Sequence, residues 1–77
     1  MPRVIDYAKT SKKIRECMDD GNLTPKDLVE MLPLATVQTV YKWMDANDKT
    51  IPRIDTIVRL TEIFHVTLDD LIITKQV

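Results

Sequence analysis

The chain is poor in the residues that build most catalytic centres. It has one glycine, one histidine and one cysteine among 77 residues, and aromatic side chains make up 5%. A single glycine cannot form a glycine-rich phosphate loop, because such loops need several residues without a Cβ to bring backbone N–H groups onto a phosphate. One histidine and one cysteine, Cys17 and His65, do not make a zinc site unaided. A lone cysteine forms no internal disulfide, which predicts a reducing, cytoplasmic setting. No apolar run approaches the ~20 residues of a membrane-spanning helix. The first ten residues, MPRVIDYAKT, have no apolar block, so no secretory leader is expected. No nucleophile–base spacing stands out, and the adjacent Asp69 and Asp70 are explained by helix capping, so an enzyme is not expected and no cofactor is implied.

What is present is the balance of a small folded domain. Hydrophobic residues make up 44% and charged residues 30%, which predicts one domain over 1–77, with a core over 11–73 and an N-terminal arm over 1–10. Net charge is −1, but it is unevenly spread. Residues 1–15 hold five cations against one carboxylate, a local +4, and the remainder holds six against eleven, a local −5. An acidic total lowers non-specific affinity for nucleic acid without excluding binding through a local surface.

Five helices are predicted. The first spans about Ser11 to Asp20, with Ile14 and Met18 one turn apart and Gly21 as a left-handed C-terminal residue. The second opens at TPKD: Thr24 caps, Pro25 takes the first helical position where its missing N–H costs nothing, and Asp27 closes a capping box. Pro33 biases Leu32 out of helical geometry and ends it. The third runs from about Thr36 to Asp45, with Leu34, Val37, Val40 and Trp43 inward. The fourth runs from Ile54 to Phe64, with Ile54, Ile57, Val58, Leu60, Thr61 and Phe64 inward or half-buried, and His65 at a left-handed cap. The fifth opens at TLDD, capped by Thr67 and Asp70, with Leu68, Leu71 and Ile72 turned to the core. The β-branched ends, RVIDY and IITKQV, fit short strands paired with each other or with a second chain, and equally fit frayed termini. The result is an all-α bundle of five short helices.

The window from Met31 to Met44 has no acidic residue in a chain that is 30% charged. It carries Thr36, Gln38, Thr39, Tyr41 and Lys42. These donors and acceptors suit base edges and phosphates: Gln pairs in bidentate fashion with adenine, Thr touches a thymine methyl or a phosphate, and Lys reaches phosphate or guanine. An ordinary solvated helix face fits the same composition.

The ordered set Leu23–Thr24, Leu28, Leu32, Val40/Trp43, Pro52 and Val66–Ile72 resembles the helix-turn-helix domain of lambda-repressor-type bacterial and phage transcription regulators, over about residues 14–72. The resemblance implies a five-helix fold, binding of double-stranded DNA through the major groove, and a homodimer. It makes the helix at about 36–45 the recognition helix. By position, Gln38, Thr39 and Lys42 are candidate base contacts, and Lys26, Thr36, Tyr41, Lys49 and Arg53 candidate phosphate contacts. Arg3 is a candidate minor-groove arm, with a disordered end as the plainer reading. The chain departs from the family at Pro33, where a turn glycine is usual, and at Val29, where a small residue is usual. Its turn is about one residue longer, as in a branch whose third helix ends Ile-Tyr-Lys-Trp. No small-molecule ligand is evident. A protein-interaction module on the same fold, antitoxin-like or adaptor, is the alternative function.

Overall fold

The computed structural model describes residues 2–32 and 35–77. The turn around Pro33 and the inward placement of Leu34 lie outside the described residues. The order of elements is β1 (Arg3–Ile5), α1 (Tyr7–Asp20), α2 (Pro25–Met31), α3 (Val37–Met44), α4 (Ile54–Phe64), α5 (Leu68–Leu71) and β2 (Thr74–Gln76). The fold is therefore largely helical, with one small antiparallel sheet that joins the two ends of the chain. Arg3 lies opposite Gln76, Val4 opposite Lys75 and Ile5 opposite Thr74.

The β-branched ends pair with each other, one of the readings their sequence allows, and α1 reaches back into residues 7–10. α1 starts at Tyr7, four residues before the predicted Ser11, because the Asp6 carboxylate accepts the Lys9 N–H at 3.1 Å and caps the helix. Arg3 is held in β1 by its Nε donating to Thr74 Oγ1 at 2.9 Å, so it is not a free arm. The left-handed residue after α1 is Asn22, at φ 53°, and not Gly21, at φ −92°. Asn tolerates this region because its short amide side chain bonds locally.

Threonine capping opens three of the four helices that follow, α2, α3 and α5. Thr24 accepts the Asp27 N–H at 3.2 Å while Asp27 accepts the Thr24 N–H at 2.9 Å, a reciprocal box with Pro25 at the first position. Thr67 and Asp70 repeat it at α5. α2 ends with Leu32 extended (φ −114°, ψ 115°), the geometry favoured ahead of a proline. α4 has the predicted bounds, an Arg53 that makes no side-chain cap, and His65 in the left-handed conformation (φ 57°, ψ 43°).

One core unites the helices. Ile14, Cys17 and Met18 from α1 meet Leu28 and Leu32, Val40 and Trp43, Ile57 and Leu60, and Leu71. α3 packs on both α1 and α2, and α5 on both α1 and α4. Ser11 Oγ donates to the Asp45 carbonyl at 3.4 Å, tying α1 to the end of α3. Burial lifts the Cys17 thiol above its ordinary pKa; Asp20, Glu16 and Asp70 push the same way and Lys13 opposes them. Cys17 is thus a neutral packing residue.

Four residues expected inward are on the surface. Ile54 is 68% exposed, and Val37, Val58 and Leu68 are also exposed. For Val37 the reason is local: it is the first residue of α3, ahead of the turn that carries Val40 and Trp43 inward. Ile54 is likewise the first residue of α4, and Val58 lies one turn beyond it on the same face.

Candidate nucleic-acid interface

α3 is set by its cap and by two anchors. Thr36 accepts the Thr39 N–H at 3.1 Å, and the Thr36 and Thr39 hydroxyls share a hydrogen bond at 2.8 Å. Val40 and Trp43 are buried, at 0% and 4% exposure, and fix the rotation of the helix about its axis. At about 100° per residue, that rotation turns Gln38, Tyr41 and Lys42 together to the opposite side. All three are exposed. The Gln38 amide makes no hydrogen bond among the described residues, so its donor and acceptor are available as a pair. Lys42 stands in the last turn, where a cation complements the helix dipole.

The other predicted residues separate into two groups. Thr39 is half-buried and turned toward the start of α4, where it lines a groove with Arg53. Its hydroxyl is engaged with Thr36, which leaves it less free than Gln38. Lys26, in the first turn of α2, and Lys49, in the loop before α4, are exposed and form no ion pair among the described residues. Arg53 makes a loose ion pair, Nε to Asp55 Oδ1 at 3.9 Å, with both side chains largely in water; such a pair contributes little.

The groove beside α3 has a volume of about 410 Å³. Leu32, Trp43, Ile51 and Pro52 give it an apolar floor, and Thr39, Thr50, Arg53 and Arg59 are among its polar lining. Arg59 was not among the residues expected from the sequence. It sits in mid-helix α4 and reaches the site only because the loop of Thr50–Arg53 brings α4 alongside the groove.

A second, more apolar groove of about 310 Å³ lies between α4 and α5, with Ile54, Leu68 and Ile72 in its wall and Ile5 and Thr74 of the sheet at its margin. Among the described residues, no group of three or more His, Cys, Asp or Glu side chains could hold a metal ion. No helix there is long and apolar enough to cross a membrane. No protein family, curated protein or solved structure matches the chain.

Proposed function

We propose that the protein binds double-stranded DNA with sequence preference and acts as a transcriptional repressor, with α3 as the recognition helix of a lambda-repressor-like helix-turn-helix. The observation that carries this reading is the exposed face of α3. Gln38, Tyr41 and Lys42 project together from a helix without a carboxylate, within a chain of net charge −1. A surface that approaches phosphates must avoid carboxylates, and one that reads bases needs unpaired donors and acceptors; this face meets both conditions. α2 ends at Met31 and α3 begins at Val37. In this reading Gln38 and Lys42 meet base edges, Thr39 meets a thymine methyl or the backbone, and Lys26, Thr36, Tyr41, Lys49 and Arg53 meet phosphates.

The test is selection of bound duplexes from a random pool, repeated across a salt series. Enrichment of a motif supports the reading, and its half-site spacing reports whether the protein binds as a homodimer. Lack of any preference at low salt overturns it.

A second reading, a protein-interaction module on the same fold, is favoured by the net charge and by the exposed Ile54, Val58 and Leu68. It predicts a partner whose association survives nuclease treatment, together with no duplex preference.

A further inference from the structure

We propose that the groove between α3 and the start of α4 binds a small amphipathic anion, a carboxylate or phosphate ester with a short apolar or aromatic tail. Three observations carry this, and none depends on α3 reading DNA. The first is size: about 410 Å³ falls within the range of small-molecule sites, and a lone phosphate would leave most of it empty. The second is the floor. Half-exposed Ile51, with the edges of the buried Leu32, Trp43 and Pro52, offers apolar surface that an inorganic ion or a DNA phosphate has no use for. The third is charge. Two guanidinium groups, Arg53 and Arg59, line the groove with one carboxylate, Asp55. That carboxylate accepts the Thr56 N–H at 2.9 Å and lies 3.9 Å from Arg53 Nε, so it offsets one of the two cations and leaves the lining net positive. Arg59 forms no ion pair or hydrogen bond among the described residues, so its planar fork remains available to a carboxylate or phosphate.

The occupant would lie over the exposed edge of Trp43, between Thr39 on α3 and Arg59 on α4. Thr39 and Arg53 also belong to the proposed DNA face, so ligand and duplex would compete. This domain would then carry a small-molecule response in its own groove.

Trp43 is the only tryptophan, so its indole N–H gives a single resonance in a nitrogen–proton correlation spectrum of the free protein. The probes are hexanoate and phenyl phosphate, with hexanol, acetate and inorganic phosphate as comparisons. At least one of the two amphipathic anions should move the indole signal saturably, with a Kd of roughly millimolar order for so small a ligand. Hexanol, acetate and inorganic phosphate should each bind at least about tenfold more weakly. Arg59→Gln, on an exposed position, should weaken the bound anion about tenfold and leave the response to hexanol unchanged. Arg15→Gln on α1, outside the groove, should change neither. The proposal is overturned if neither amphipathic anion shifts the indole, if inorganic phosphate or acetate serves as well, or if Arg59→Gln keeps full affinity. No arm contains DNA, so failure here is distinct from failure of the DNA-binding reading.

Discussion

The Thr10 hydroxyl is bonded to both backbone groups of Ile73: Oγ1 accepts the Ile73 N–H at 3.0 Å and donates to the Ile73 carbonyl at 3.3 Å. Thr10 is fully buried in α1, and Ile73 immediately precedes β2, so one side chain joins residues 63 apart in sequence. The carbonyl has a second donor, the Asp6 N–H at 2.8 Å, whereas the N–H has Thr10 alone among the described residues. Thr10→Val keeps the shape and strands that N–H. A buried unpaired donor costs about 1–3 kcal/mol. The thermal midpoint should fall by roughly 4 °C or more, and hydrogen exchange at the Ile73 amide should accelerate. Thr10→Ser, which retains the hydroxyl, should keep the amide protected.

His65 ends α4 in a conformation that opposes its own Cβ. A left-handed residue other than glycine is disfavoured by about 1–2 kcal/mol, and the φ of 57° at His65 lies in that region. His65→Gly should stabilise the protein by roughly 0.5–1 kcal/mol, less than the relieved strain because glycine also gains freedom when unfolded. His65→Val should destabilise it, since β-branching makes the left-handed region still less accessible. Chemical denaturation of the three proteins orders them Gly, His, Val. Any other order separates His65 from this role.

The contrast between α4 and α1 explains how much of the fold was legible. α4 was predicted to the residue because its apolar spacing, the preceding Pro52 and the following His65 all mark it. The start of α1 was missed because Asp6 lies inside a β-branched stretch, RVIDY, that reads as a strand; the strand is real but ends at Ile5, and Asp6 is already a cap. The exposure of Ile54, Val58 and Leu68 could not be read from periodicity. Spacing gives a face, not what covers it: Ile54 and Leu68 line the open groove where α4 meets α5, and Val58 is exposed one turn beyond Ile54. The exposed face of α3 was legible for the opposite reason: Val40 and Trp43 fix its rotation, and Gln38, Tyr41 and Lys42 follow. The groove was not legible, since its lining is drawn from positions 32 to 59, which come together only in the folded chain.

Asp27 connects a cap to pH. The backbone N–H of Thr24, and secondarily its hydroxyl, hold the Asp27 carboxyl below its ordinary pKa. A depressed folded value means that the native state binds its proton later than the unfolded state. The contribution is therefore complete above the ordinary carboxyl value of about 3.9 and is lost as pH falls below it through the folded value. Thr24→Val, which removes the hydroxyl, should lower stability at neutral pH and reduce the shift. Asp27→Asn should flatten the acid limb of a stability–pH curve. An unchanged acid limb in Asp27→Asn would show that the box carries no pH dependence.

The homodimer expected for the proposed function has a face suited to it. Ile54, Val58 and Leu68 are exposed apolar side chains, and the groove between α4 and α5 continues to the sheet at Ile5 and Thr74. A lysine on such a face leaves an unpaired charge in a dehydrated interface. Ile54→Lys should therefore shift the protein to a monomer in light scattering while leaving its helical circular dichroism unchanged, because Ile54 contributes little to the core. A wild-type protein that is already monomeric at high concentration would remove this face from consideration.

Base and phosphate contacts leave different signatures, and the exposed cations and amides allow both to be read. Gln38 has a free amide on the outer face of α3, so in the proposed complex it discriminates among base pairs. Gln38→Ala should flatten preference at the positions it meets, at about 1–3 kcal/mol per pair lost, with little change in the salt dependence. Lys26 offers only charge. Lys26→Ala should weaken binding to every sequence alike and lower the slope of log affinity against log salt by about one. Lys42 lies one turn beyond Gln38, within reach of groove or backbone, and its variant decides between them: loss of preference places it on a base, loss of slope on a phosphate. Should Gln38→Ala instead behave as Lys26→Ala does, with a uniform loss across sequences, the recognition helix would not enter the groove by its Gln38 face. The polar face of α3 would then belong to a different partner.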